Sequence, residues 1–333
     1  MKKLINDPTK VVKEMLEGIG VAYGDLVSVN FSPNFIYRND APVKGKVAII
    51  SGGGSGHEPL HGGYVGYGML DAACPGDVFS SPTPDQMYEA AKKVNGGAGI
   101  LFIVKNYTGD VMNFDMAKEL LKGDGIDTES IVVNDDVAVE NSTWTAGRRG
   151  VGGTVFVEKI VGAAAEVKKN ILELKKLGEK VIANVRSIGI ALTPCTVPAA
   201  GKPTFTLNED EFEFGVGIHG EPGRKRLPLK PADKIVEMMM DAILKDIELK
   251  PKDEVTLLIN GMGGTPLIEL YIVTRKVFSM LKDKNVAIYK PLIGNYITSL
   301  EMQGASITVL KLDEELKKYL DAKVHTIGLR VGM

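Results

Sequence analysis

Histidine is scarce in this chain: 333 residues carry four, His57, His61, His219 and His325. Two stand in glycine-rich sequence, His57 in SGGGSGHEP (51–59) and His219 in GIHGEPG (217–223). Flanking glycines give an imidazole little side-chain cover. That opens the ring to a ligand, and its proton equilibrium falls near neutral pH. For either one alone, a turn histidine that bonds the backbone is the plainer reading. Two such histidines, each after a predicted strand, favour chemistry. His61 stands four residues after His57, a spacing that a helix would place on one face for a metal. Pro59 between them and Gly62-Gly63 behind them argue against that helix, so no metal ligands are assigned. His325 has no supporting motif and reads as structural.

The glycines from Gly52 to Gly56 could cradle a phosphate or another oxygen-rich group with backbone N–H donors. No Lys-Ser or Lys-Thr follows at P-loop spacing. Residues 215–220 (GVGIHG) fit GxGxxG formally, but Glu221-Pro222-Gly223 continues them where a dinucleotide site needs a helix. Ser55 near His57 invites a hydrolase reading, yet Pro59 denies a nucleophile elbow its helix. Lys105 and Asp110 flank the end of a predicted strand. They read equally as an ion pair or as a hydroxyl anchor and a general base.

These residues need a scaffold, and the patterns supply an α/β one. Asp7-Pro8 predicts a helix start, followed by apolar positions at helical spacing to Ile19. Residues 46–51 read as a buried strand running into the first glycine loop. Thr83-Pro84-Asp85-Gln86 is a capping box that opens a helix expected to stop at Asn95-Gly96-Gly97. Strand 99–104, helix 113–122 and strand 130–133 follow, then a polar, glycine-rich loop over 134–153 containing Arg148-Arg149. One long helix is expected over 155–176. Further on come a strand at 212–218 delivering His219, a helix at 231–244, a strand at 254–259, a helix at 267–281, a strand at 286–289 and a helix at 313–320. Both halves place a glycine loop after a strand, where open α/β sheets bind ligands. The expectation is two α/β domains, each with a central sheet flanked by helices, over 1–190 and 191–333.

Composition bounds the function. The formal net charge of −2 arises from 40 basic and 42 acidic residues, which gives no footprint for nucleic acid or a membrane surface. No apolar stretch is long enough to span a bilayer. The N-terminal apolar run is too short for a signal peptide. The two cysteines, Cys74 and Cys195, form neither a CxxC pair nor a disulfide framework, so a reducing cytoplasm is expected.

SGGGSGHEP (51–59), FSSPTPDQ (79–86), VKNYTGD (104–110) and GIHGEPG (217–223), in this order and spacing, resemble the dihydroxyacetone kinase K subunits. The resemblance spans nearly the whole chain. It implies that His219 forms a covalent hemiaminal with the ketone carbon of dihydroxyacetone, while His57 and Asp110 act on its hydroxyls as acid and base. It further implies that Gly54, Ser55, Gly56, Ser81 and Lys105 line the pocket. A neutral imidazole can attack a ketone, and glycerol offers no such carbon. No Walker motif or magnesium-holding acidic cluster is present, and the sequence ends at Met333 without the helical nucleotide domain of single-chain relatives. The resemblance therefore implies a separate K subunit, with no cofactor or metal of its own and a homodimeric state. Its phosphate would come from ADP/ATP with magnesium on an L subunit, recharged by an M subunit of the phosphotransferase system. The alternative is a dihydroxyacetone-sensing co-activator of a transcription factor without kinase activity.

Overall fold

The computed structural model describes residues 2–139, 146–221, 223 and 225–332. Residues 140–145 of the expected polar loop, and Pro222 of GIHGEPG, lie outside the described residues. Helix α1 (Val11–Ala22) precedes a hairpin of β1 (Val27–Phe31) and β2 (Asn34–Arg38). Then come β3 (Ala48–Ser55), β4 (Gly66–Tyr67), β5 (Ala72–Val78), α2 (Pro84–Val94), β6 (Ile100–Lys105), α3 (Thr108–Gly123) and β7 (Thr128–Val133). Two helices, α4 (Gly153–Glu166) and α5 (Ile171–Ala183), lead to β8 (Val185–Ala191), β9 (Glu211–Phe214), β10 (Lys225–Pro228) and α6 (Ala232–Asp246). The rest is β11 (Glu254–Gly261), α7 (Leu267–Asp283), β12 (Ala287–Ile288), β13 (Leu292–Gly294), β14 (Gly304–Leu312), α8 (Glu314–Leu320), β15 (Val324–Thr326) and β16 (Arg330–Val331).

The chain is thus α/β, with two large sheets flanked by helices. The first runs β1-β2-β5-β3-β6-β7, parallel from β5 to β7. Its central strand β6 (ILFIVK) reads as a nearly unbroken apolar run because both faces are covered. Ile49, Leu101 and Ile103 point toward α4 and α5, whereas Ala48, Ile50, Phe102 and Val104 meet α2 and α3. The second runs β10-β9-β8-β14-β11-β12, with β13 also on β11. It is mostly antiparallel, since β14 pairs antiparallel with both β8 and β11. One face packs Ile188, Leu257 and Ile307 against α6 and α7. The other sends Val185, Leu258 and Leu310 into the core that surrounds α4. Helix α4 is buried from Gly153 to Ala165, as a helix between two sheets must be, and is apolar there apart from Thr154, Glu158 and Lys159.

Several boundaries differ from expectation, each for a local reason. Asp7 does not cap α1; its carboxylate accepts from Thr9, and the helix starts at Val11. The expected helix over 155–176 is two helices. Asn170 accepts from the Glu173 backbone and Glu173 answers Asn170, a capping box that restarts the chain after Lys168 at φ 57°. Helix α3 begins at Thr108 rather than 113, so Asp110 sits in its first turn and not in a strand-end loop. The expected boundary at 190 falls inside β8. The C-terminal tail also leaves the second sheet: β15 pairs with β4, and Tyr319, Leu320 and Val324 complete the core around α4. Among the described residues no helix is long and apolar enough to cross a membrane.

Candidate functional site

Strand β3 does not stop before its glycines but runs through them to Ser55. Close packing makes glycine necessary there. A Cβ on Gly52 would lie 2.6 Å from the Cys74 carbonyl oxygen, and one on Gly54 would lie 2.7 Å from the Ser80 nitrogen. Gly56 then turns the chain at φ 103° and delivers His57. A segment from the second sheet's side clamps this turn: Leu300 N donates to Gly56 O at 2.9 Å and Thr298 N to His57 O at 3.2 Å. His57 Nδ1 lies 2.7 Å from Thr298 O. A carbonyl only accepts, so Nδ1 carries the proton and Nε2 presents its lone pair. Nε2 is buried and has no partner among the described residues. The ring stacks on Phe79 at 5.0 Å. Burial, then His219 and Lys105, hold its pKa well below the usual histidine range, so it is a neutral acceptor.

His219 arrives from the loop after β9, with its ring 4.7 Å from His57 and 4.5 Å from Tyr107, edge-on to both. Glu221 holds it from two sides. Glu221 Oε2 accepts from the His219 backbone N–H at 2.8 Å, and Oε1 lies 3.6 Å from Nδ1. That carboxylate favours the proton on Nδ1 and leaves Nε2 as the free nitrogen. Burial alone would raise the Glu221 pKa. The hydrogen bond and charge of His219, with the charge of Arg149, outweigh it and pull the carboxyl down to about 2. Arg149, fully buried, donates to Asp136 Oδ2 at 2.8 Å and to Gly215 O at 2.7 Å. It thereby ties the loop that carries His219 to the end of the first sheet.

Asp110 lies across the cleft in the first turn of α3, where the helix N-terminus favours a carboxylate. It is 2% exposed, and Oδ1 has no partner among the described residues. Its Oδ2 is 3.8 Å from Lys105 Nζ. Lys105 in turn lies 2.8 Å from His61 Nε2, and His61 Nδ1 lies 2.5 Å from Glu158 Oε1. Burial pushes Lys105 down from the usual ammonium range, with Asp110 and Glu158 opposing it.

Gly54, Ser81, Asp110 and His219 line one cleft of about 720 Å³ together with Tyr107 and Thr204, and His57 abuts His219 at its floor. Other expected residues are not brought into that lining. The Ser55 hydroxyl donates to Gly76 O at 2.6 Å. Gly56 N–H donates to Glu58 at 3.1 Å. Lys105 is fully buried behind Asp110. Nor are the two glycine-flanked histidines equally open: His57 is fully buried, and the His219 side chain is 19% exposed. Arg149, in the expected polar loop over 134–153, is an internal clamp. Glu221, Phe79, Tyr107 and Thr298 were missed as site residues. Glu221, two residues after His219 inside GIHGEPG, was the one with a visible signal. Among the described residues no group of three or more His, Cys, Asp or Glu is placed to hold a metal ion. The cleft thus joins two imidazoles to one carboxylate whose Oδ1 has no partner among the described residues, a set suited to nucleophilic addition and proton removal.

The chain matches the Dak1 domain family over residues 17–328. It is 53% identical to the dihydroxyacetone-binding subunit of PTS-dependent dihydroxyacetone kinase 1 of Listeria innocua, over 96% of this chain and 97% of that protein. It superimposes on the dihydroxyacetone kinase from C. freundii in complex with AMP-PNP and Mg2+ with a TM-score of 0.90 and 34% identity. That match covers 99% of this chain and 61% of the other. A dihydroxyacetone kinase operon co-activator superimposes with a TM-score of 0.89 and 35% identity, covering 96% of this chain and 98% of that one.

Proposed function

This chain belongs to the Dak1 domain family, and on that premise we propose that it is the dihydroxyacetone-binding subunit of a phosphotransferase. The ketone is held covalently on His219 and its hydroxyl is presented for phosphorylation to dihydroxyacetone phosphate. The observation that carries this reading is the pairing of His219 with Glu221. With Nδ1 facing the carboxylate at 3.6 Å, Nε2 is the nitrogen left to attack. Nε2 forms a bond to the carbonyl carbon, the C=O π bond breaks toward oxygen, and that oxygen takes a proton. The ring loses its Nδ1 proton on the Glu221 side and returns to neutrality, leaving a hemiaminal. Asp110, with its free Oδ1, removes the proton of the terminal hydroxyl as phosphate arrives, and His57 Nε2 accepts from a hydroxyl of the bound triose. A three-carbon ketone fills a small part of the cleft. The remaining opening admits a phosphoryl donor: nucleotide with magnesium on an L subunit, itself recharged through an M subunit of the phosphotransferase system. A cytoplasmic homodimer completes the reading.

The co-activator reading needs a ligand-binding histidine but no base. The buried, partnerless oxygen of Asp110 in the cleft wall favours transfer. Intact-protein mass spectrometry after gentle incubation with dihydroxyacetone tests the adduct: His219→Ala loses the mass increment, and its retention overturns the assignment. Asp110→Asn keeps the increment and loses dihydroxyacetone phosphate formation with a nucleotide-loaded L subunit. Normal turnover by that variant overturns its role as base.

A further inference from the structure

We propose, resting on the reading above, that Glu158 and His61 are positioning residues for the transfer step: through the His61 ring, Glu158 supplies the counter-charge that keeps Lys105 protonated beside Asp110. The donor order along the chain of groups carries this. An ammonium has three N–H donors and no lone pair. Lys105 therefore donates to His61 Nε2 at 2.8 Å and to Gly52 O at 3.4 Å, and its remaining donor faces Asp110 Oδ2 at 3.8 Å. With Nε2 accepting, the proton of His61 sits on Nδ1 and is donated to Glu158 Oε1 at 2.5 Å. Every link is buried: Lys105 and Glu158 are wholly inaccessible and His61 is 5% exposed.

Glu158 is otherwise hard to place. It is a carboxylate in the middle of α4, a helix whose other buried residues from Gly153 to Ala165 are apolar but for Thr154 and Lys159. The Lys159 ammonium is taken up by the Tyr319 and Ala322 carbonyls, not by Glu158. Packing alone would favour an apolar residue there, because a buried carboxylate has a large desolvation cost. The titratable groups facing Lys105 are His57 and His61 from the segment after β3, Asp110 from α3 and Glu158 from α4. Burial holds both histidines well below their usual range, so they bring no charge. Among the described residues, the two carboxylates oppose the effect of burial on Lys105. Burial likewise pushes Glu158 up to about 8 and the Lys105 charge opposes that, so the ammonium and the carboxylate each hold the other in its charged form across the His61 ring. When Asp110 takes the hydroxyl proton its charge is gone, and Glu158 is then the one carboxylate among the described residues left to balance the ammonium. Lys105 thus stays a cation at the moment the phosphoryl group, with its own negative charge, arrives.

The test compares wild type, Glu158→Gln and His61→Asn. Glu158→Gln keeps an acceptor for Nδ1 but no charge. His61→Asn keeps a short amide near Glu158 and cuts the contact to Lys105. Three readouts are taken: the adduct mass, the pH profile of kcat with a nucleotide-loaded L subunit, and the titration of the Lys105 Nζ resonance by NMR. Both variants are expected to form the adduct. In Glu158→Gln the alkaline limb of kcat and the Lys105 titration move to lower pH by about one unit, the size for a unit charge lost across one ring in a protein interior. In His61→Asn, which keeps the charge and loses the acceptor on Lys105, both move the same way by less. If either variant fails to fold, the other decides. A Lys105 titration unmoved in the folded variant overturns the proposal, whatever the substrate is. Absence of an adduct in wild type, with the Lys105 titration shifted as expected, sinks the dihydroxyacetone reading and leaves the electrostatic role standing.

Discussion

Replacing Glu221 by glutamine isolates the charge that stands behind the nucleophile. The substitution keeps the side-chain volume and the acceptor oxygen for the His219 backbone N–H, and removes one negative charge 3.6 Å from Nδ1. As Nε2 bonds to the ketone, the ring acquires positive charge. At an effective dielectric of roughly 20, a full unit charge at that distance interacts by about 4–5 kcal/mol. The amide dipole recovers part of this and the charge develops only partly at the transition state, so about half is lost. That is roughly 2–3 kcal/mol, or about 100-fold in the rate of adduct formation. The assay is rapid-mix mass spectrometry of the increment on His219 against time, at saturating dihydroxyacetone. The pH dependence has a fixed sign. Glu221 is lowered from 4.5 to about 2 in the folded chain. It is therefore ionised throughout the working range, so the charge that the variant lacks is present in the wild type at every pH of the assay. The same depression stabilises the fold by about 3 kcal/mol above pH 4.5, and this is lost as pH falls through about 2. An E221Q protein that forms adduct at the wild-type rate would refute the tautomer argument and, with it, the choice of Nε2.

Two further substitutions test the supports of the site. Gly53→Ala places a Cβ 2.2 Å from Lys105 Nζ, so the ammonium must move; transfer is expected to fall by about 100-fold with the His219 adduct retained, measured as kcat beside adduct mass. Arg149→Met leaves Asp136 buried without its partner, at a cost of about 3–5 kcal/mol read from the urea midpoint at unchanged slope. The same change frees Gly215 O and should slow adduct formation, because the loop that carries His219 loses its tie.

The parts of this fold that sequence displays are those whose determinants are local. Thr83, Pro84 and Gln86 announce α2 within four residues, and Gln86 indeed accepts from the Thr83 backbone at 2.8 Å. The apolar spacing of α7 and the Asp313 cap of α8 are similarly self-contained. Where local and distant forces disagree, the reading failed. Strand β5 contains Pro75 and Gly76, which weaken any strand pattern, yet β3 pairs with it in register. Thr108-Gly109 does not look like a helix start, but α3 begins there and so puts Asp110 in its first turn. Asn170 and Glu173 did offer a capping box, hidden because the apolar pattern ran on past Glu166. The site divides the same way. His57, Asp110 and His219 stand in motifs that a single chain exposes. Arg149, Thr298 and Glu158 lie far along the chain from the residues they hold, and only the assembled sheets bring them against the Gly215 carbonyl, His57 and His61.

The two reactive functions also come from different layers. His219 and Glu221 hang from the second sheet, Asp110 and Lys105 from the first, and His57 is pinned between them by Thr298. This division matters for selectivity. Dihydroxyacetone and glycerol carry the same terminal hydroxyls, so in the proposed function Asp110 and His57 would meet both alike. Hydroxyl contacts discriminate strongly only against an analogue that lacks the hydroxyl, and glycerol lacks none. A nucleophile on the opposite wall changes the criterion from hydrogen bonding to electrophilicity, because only a carbonyl carbon accepts the Nε2 lone pair. The proposed bond must also release product, and a carboxylate beside Nδ1 is suited to that. A neutral ring nitrogen is a poor leaving group, but an imidazole reprotonated at Nδ1 is a good one. Glu221 is the group that makes the Nδ1 proton stable in that position. The same carboxylate therefore speeds capture and keeps it reversible, which is why its removal should slow the appearance of the adduct and its decay together.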